Sequence, residues 1–336
     1  MPELKQLIDH LKSLETGCED KCLDLKTLKF DIKENEMRLF NDFQNYYFKT
    51  DAQNPKNSKV THAANQFCKI CSVPYSFFSK NPEYMKKGVI SCWLPSLKSE
   101  KSSVLAKLRK NKEGYTIRAL LPAEYTNITN SQVVEALVGA VEEDYKIDFV
   151  IGDEQDSLIL HVRLISKNEF EVCGDKCSVG FSVVCSELGA APLSVDTLLY
   201  RSSSATSFLA TYSTESFFSF EYDKIQKAEL TNLFSSLALH LTDKLTDIKQ
   251  KIQEAKEIIT KKENAYDMLR SLRLIKGLNE RFHTLLFQEI EKDDTIKTKW
   301  DFTNKMAIVA KEFDEKKRLI IERAAGSLLG FYFEKN

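Results

Sequence analysis

Between residues 193 and 276 the chain has neither glycine nor proline, and all seven prolines fall within residues 1–192. Losing both breakers separates a turn-rich first part from a second part free to run as long helices. The glycine-rich phosphate loops G-x-x-x-x-G-K-[ST] and G-x-G-x-x-G are missing, which argues against a P-loop ATPase. G-x-S-x-G and H-E-x-x-H are missing as well. The five histidines, His10, His62, His161, His240 and His283, are scattered and read as packed or surface residues rather than as general bases. Nothing in the residues argues for a chemical step, and no cofactor is expected. No apolar run approaches the roughly 18 residues of a membrane span, and the charged start Met1-Pro2-Glu3-Leu4-Lys5 has no apolar signal region. The expectation is a soluble, cytoplasmic protein with no membrane partner.

Disulfides are not expected in that compartment, so the eight cysteines (18, 22, 68, 71, 92, 173, 177 and 185) read as thiols. Cys68 and Cys71 form a C-x2-C, but the gap to Cys173 is far longer than in a zinc finger or ribbon. Cys68 also continues an apolar helical pattern with Ala63, Ala64 and Phe67, where a buried structural thiol fits better than a zinc ligand.

Hydrophobic residues make up 43% of the 336, and aromatic residues 10%, enough for a buried core in about two domains. Residues 1–48 read as helical, with Leu4, Leu7, Ile8, Leu11 and Leu14 at helical spacing. A polar loop spans 51–59, and a helix follows over 61–71 with Thr61 as its N-cap. Strands are expected at 115–121, 147–151, 158–165, 170–173, 178–187 and 193–200, with a helix from Asn130 to about Glu143. From about Tyr222 the chain reads as helices. Leu230, Phe234, Leu237, Leu241, Leu245, Ile248, Ile252, Ala255 and Ile259 recur about every 3.6 residues, an apolar stripe that must be buried within the chain or between subunits. The expected class is α+β, a largely antiparallel sheet with covering helices followed by a long helical hairpin or bundle. The expected divisions are 1–59, 60–215 and 216–336.

The net charge of −1 conceals opposed blocks. Residues 80–118 hold ten bases against three acids, a net of +7, and residues 135–156 hold eight acids against one base, a net of −7. Lys107, Arg109, Lys110 and Lys112, followed by Tyr115 and Arg118, suit a turn that neutralises phosphates and feeds a strand. Exposed aromatics such as Tyr84, Trp93, Tyr115 or Tyr125 would stack on bases. The competing reading is a solvated hairpin loop whose lysines keep a sheet edge soluble. Asp153 and Asp156 would suit a divalent metal or a solvated acidic turn.

Four stretches in order carry a resemblance: Ala63-Ala-Asn-Gln-Phe-Cys-Lys-Ile-Cys-Ser-Val-Pro-Tyr75; Thr116-Ile-Arg-Ala-Leu-Leu-Pro-Ala-Glu-Tyr125; Gly180-Phe-Ser-Val-Val-Cys-Ser-Glu-Leu-Gly189 running on to Arg201; and Thr298-Lys-Trp-Asp-Phe-Thr-Asn304 with Ala307, Arg318, Ala325 and Gly326. Together they resemble a widespread phage- and plasmid-encoded family known as a domain of unknown function. After the arginine the family continues with a cysteine and Asn-Gly, where this chain has Ser202-Ser-Ser-Ala-Thr-Ser207. The resemblance implies a mobile-element protein of replication or recombination. With the basic block it points to an oligomeric single-strand binding or annealing factor. In that reading Lys107, Arg109, Lys110 and Lys112 neutralise phosphates, Arg118 and Arg201 share a sheet, and Tyr125 offers a stacking face. Two alternatives stand beside it: a phage structural or assembly protein oligomerising through its C-terminal helices, and a metal-dependent enzyme using Asp153, Asp156 or the cysteine pairs.

Overall fold

The computed structural model describes residues 2–33, 36–49, 62–93, 103–140, 145–152, 158–210, 218–220, 229–258, 262–272, 278, 280–293 and 296–330. The polar loop 51–59, Thr61, Asp153, Asp156, Ile259 and the side chain of Trp93 lie outside them. The fold is α+β, with two mostly antiparallel sheets and C-terminal helices.

Helix α1 (Pro2–Glu15) is the only α-helix the structure gives residues 2–49, against the expectation of helix throughout. Gly17, at φ +74°, ends it in a conformation that side chains disfavour. Four strands follow: β1 (Cys18–Asp24), β2 (Lys29–Lys33), β3 (Glu36–Phe40) and β4 (Asn45–Lys49). The pairs Phe30/Ile32, Met37/Leu39 and Tyr46/Phe48 repeat every second residue and pack in one core, so they demand strands rather than helix. Helices α2 (His62–Ile70), α3 (Tyr75–Lys80) and α4 (Glu83–Trp93) precede strands β5 (Ser103–Lys110) and β6 (Tyr115–Pro122). The six strands form one sheet in the order β1-β5-β6-β4-β3-β2. All pairings are antiparallel except β4 with β6. One face packs against Ala63, Ala64, Phe67, Cys68, Cys71, Phe78 and Ile90. On the other face of β2 and β3, Lys29, Asp31, Lys33, Glu36 and Arg38 are exposed. Because β4 pairs with β6, the sheet runs across the expected division at residue 59.

Helix α5 (Asn130–Ala140) leads into the second sheet: β7 (Tyr145–Ile151), β8 (Leu160–Ser166), β9 (Phe170–Val172), β10 (Asp175–Cys185), β11 (Leu193–Arg201), β12 (Thr206–Ala210) and β13 (Phe218–Phe220). Its main path is β12-β11-β10-β8-β7, with β9 on β10 and β13 on β11. The chain ends in α6 (Leu230–Glu257), α7 (Lys262–Ser271), α8 (Glu280–Lys292), α9 (Lys299–Ala310) and α10 (Glu315–Leu328). Thr298 and Asp301 start α9 with reciprocal side-chain caps.

The stripe on α6 is buried within the chain. Leu230, Phe234, Leu241, Ile248, Ile252 and Ala255 share one core with α1, α5, α8, α9 and one face of the second sheet. The C-terminal helices are therefore the cover of that sheet, and the core continues across the expected division at residue 215. Helix α10 lies on the opposite face, so close that a Cβ on Gly326 would stand 2.0 Å from the carbonyl oxygen of Leu209.

Candidate functional site

Four of the seven residues singled out from the sequence converge where the two sheets meet. The pairing of β5 with β6 is irregular after Lys107, which faces Ala119, because Leu108 then faces Ile117. Arg118 is the residue skipped, and such a bulge re-aims a side chain. Its guanidinium lies 3.7 Å from Glu187, and it donates to Cys18 Sγ at 3.4 Å. Glu187 is held in turn by Asn130, whose backbone N–H donates to Oε2 at 3.1 Å while its side-chain oxygen accepts from the Glu187 N–H at 3.1 Å. Burial raises the Glu187 pKa, outweighing the Asn130 hydrogen bond and the nearby Arg118 charge. The next residue, Leu188, offers its carbonyl to His62 (2.7 Å) and Gln66 (3.0 Å), and Gln66 accepts from the Leu120 N–H.

Lys107 is buried at 6% exposure, its ammonium 2.8 Å from Asp20 and in contact with Asn127. Arg109 donates to the Leu14 carbonyl at 3.0 Å. Tyr125 packs partly buried in the same region, where burial, then Cys185 and Glu187, raise its pKa. The structure thus changes the expected roles: Lys107 and Arg118 are engaged inside the protein, Arg109 donates to α1, and Tyr125 is partly buried against the core.

Arg201 lies elsewhere. It pairs with Asp175, which also accepts from Trp300 Nε1 at 2.9 Å and meets Lys256. It is on the second sheet, whereas Arg118 is on the first, so the expected shared sheet is not formed.

A second polar set, absent from the sequence reading, fills the space beneath α10. His161 Nε2 lies 2.7 Å from Ser182 Oγ, and His161 Nδ1 meets the Glu315 carboxylate. Arg163 meets Glu315 and Glu322, Arg318 donates to Glu322 at 2.8 Å, and Arg323 to Asp196 at 2.6 Å. Serine, histidine and carboxylate in this order suggest an acyl-transfer triad. Ser182, however, has 0% exposure, on a strand flanked by β8 and β11. A nucleophile must be reached by its substrate, so this set serves to hold α10. Burial first, then the Arg163 charge, lowers the His161 pKa and favours the neutral imidazole. Burial pushes Glu315 up, but its contacts with His161, Arg163 and Arg318 outweigh this and bring its pKa below the ordinary glutamate value.

The open face of the first sheet carries the arrangement most suited to a ligand. The Arg38 guanidinium lies 5.0 Å from the Phe40 ring centre and 5.7 Å from that of Tyr47, its cross-strand partner. Asn45 accepts from Arg38 Nε at 3.1 Å and fixes the guanidinium in place. The 111–114 turn lies against this ladder. Tyr47 OH is 3.5 Å from the Glu113 carbonyl, and a Cβ on Gly114, at φ +147°, would stand 2.5 Å from the Asn45 carbonyl oxygen. Lys110 and Lys112, the remaining two residues singled out, are exposed at this end of the sheet. Phe43, 92% exposed, tops the β3–β4 turn, whose backbone donates twice to the Asn41 side chain. Lys29 and Lys33 lie on the same face of β2, Lys29 3.8 Å from Asp42 and Lys33 opposite Glu36, while Asp31 is engaged by Lys87 at 2.6 Å. Arg38, Phe40 and Tyr47 were missed because 1–48 read as helix; the alternation on β3 and β4 was the signal that would have found them.

Cys68 on α2 and Cys71 just beyond its end are buried, their thiols pushed up to about 12 mainly by burial. No helix among the described residues is long and apolar enough to cross a membrane. No protein-family model, curated protein or solved structure matches the chain.

Proposed function

We propose that this protein binds single-stranded nucleic acid along the open face of its first sheet, with no chemical step. The observation that carries the reading is the Phe40–Arg38–Tyr47 ladder near the exposed Lys112, because it sets half-exposed aromatic rings and cations together on one strand surface. Aromatic side chains stack on bases of any sequence, each worth about 1–3 kcal/mol, and arginine adds cation–π attraction. Lys29, Lys33, Lys110 and Lys112 supply the phosphate contacts. The four-motif resemblance adds a setting: a mobile-element protein of the cytoplasm, of a host cell where a phage encodes it, acting in strand annealing as a homo-oligomer.

Fluorescence anisotropy with a labelled oligo-dT, titrated in salt, tests this. The expected result is salt-sensitive binding, with Lys110→Ala/Lys112→Ala flattening the log–log slope by about 0.7 for each phosphate that is no longer neutralised. Absence of binding at low salt overturns the reading.

A further inference from the structure

Of the four strands that end the main paths of the two sheets, three are protected in ways familiar from natural sheets, and the short strands β9 and β13 lie beside β10 and β11. Strand β1 carries Glu19, Asp20, Lys21 and Asp24, and β2 carries Lys29, Asp31 and Lys33. Strand β12 is covered by α10, with Gly326 against the Leu209 carbonyl. The fourth, β7, is the outer strand beyond β8, and among the described residues no strand pairs with its other side. It is seven residues long and apolar in part, with Phe149 at 40% and Val150 at 39% exposure.

The ladder determines which backbone groups point outward. Gly152 N–H donates to the Ile159 carbonyl at 2.8 Å, making that pair a hydrogen-bonded one. Alternation along the antiparallel register then turns the N–H and C=O of Val150, Asp148 and Lys146 toward β8, and those of Ile147 and Phe149 away from it.

We infer that β7 pairs antiparallel with β7 of a second copy of this chain, about a two-fold axis at Ile147. A two-fold through one strand must pair outward groups with outward groups, which leaves few registers. Centred on Asp148, the register sets Asp148 against Asp148 of the second copy; centred on Lys146, it sets two lysines together. Like charges directly opposite destabilise such a pair, and the register centred on Phe149 sets Asp148 against Val150 and Lys146 against Gly152, forming no charge pair. Centred on Ile147, it places Lys146 opposite Asp148 of the second copy, twice by symmetry, at the closely spaced positions where side chains approach most. Lys146 is the one base in the acidic stretch 135–156, so no other residue there supplies this complementarity. An isologous contact of this kind closes on itself and leaves β7 no further edge. It goes beyond the nucleic-acid reading and is tested without nucleic acid.

The test is the mass of the purified full chain by light scattering across a concentration series. The wild type is expected at twice the 38.5 kDa of one chain. Lys146→Glu is expected to raise the dimer dissociation constant about tenfold or more; Asp148, which also lies 3.7 Å from the buried Arg163 of its own chain, is left unchanged. A second variant reads the register directly and does not depend on the charge reversal being tolerated. With exposed Cys22, Cys92 and Cys173 replaced by serine, Ile147→Cys is expected to oxidise to a self-linked dimer, because a hydrogen-bonded antiparallel pair sets Cα atoms about 5.5 Å apart. A monomer at every concentration overturns the inference. So does a dimer that is indifferent to Lys146→Glu and gives no Ile147→Cys crosslink.

Discussion

Arg118 shows how a basic residue changes meaning once its surroundings are known. In sequence it is the last cation of a +7 stretch and looks fit for a phosphate. In the structure it is 5% exposed, and the Glu187 carboxylate lies 3.7 Å away across the joint between the sheets. Removing one member of a buried pair leaves the other charge uncompensated, at a cost of about 3–5 kcal/mol. Arg118→Ala is therefore expected to lower the unfolding free energy measured in urea by an amount in that range while leaving oligo-dT affinity of the folded fraction unchanged. A stable variant with weakened binding would return Arg118 to the phosphates. No local pattern announces this pairing, since Glu187 lies 69 residues further along the chain. Lys110 and Lys112, whose environment is a local turn, were legible as exposed cations. Lys107, three residues before Lys110 on β5 and facing Asp20, was not.

At the scale of elements, helix α10 rests on charges rather than on an apolar stripe alone. Glu315, Glu322 and Arg323 reach His161, Arg163 and Asp196 on the sheet below, with Arg318 bracing Glu315 and Glu322, beside apolar contacts from Leu319 and, toward the main core, Ile321, Ala324 and Ala325. Glu315 has a lower pKa folded than unfolded, so its contribution is complete above the ordinary glutamate value of 4.5 and is lost as pH falls below it. Denaturant titrations from pH 6 to pH 2 should show wild-type stability falling through that window, and a shallower fall in Glu315→Gln. Equal slopes in the two proteins would remove Glu315 from the account. The strands of the second sheet were largely legible, as were α5 and the long stripe of α6, because each repeats its apolar positions at the period of its own element. Residues 18–49 were misread because the helical spacing of α1 was carried past Gly17 into strands that alternate every second residue.

At the scale of the whole molecule, two cores meet through the Ser186-Glu-Leu-Gly189 loop, which is held by His62, Gln66, Asn130 and Arg118. The first core joins residues 23–48 to residues 63–120, and the second joins α1 to α5, one face of the second sheet and the C-terminal helices. The breaker-free stretch from residue 193 opens on strands β11, β12 and β13 before α6 begins at Leu230, and breaker statistics do not reveal these cores, since they are defined by pairings between distant segments. A chain beginning at residue 60 would leave β5 and β6 without β1 and β4, and would remove α1 from the second core. It is expected to lack a cooperative unfolding transition by circular dichroism, and a sharp transition would show that the division at residue 59 is a real one. The central claim is that one face of one sheet receives a single strand. Ultraviolet crosslinking of the full chain to oligo-dT, with mapping of the adducts by mass spectrometry, tests it most directly. The account predicts adducts on Phe40, Phe43 or Tyr47; adducts confined to Tyr84, or to residues of the second sheet, would contradict it.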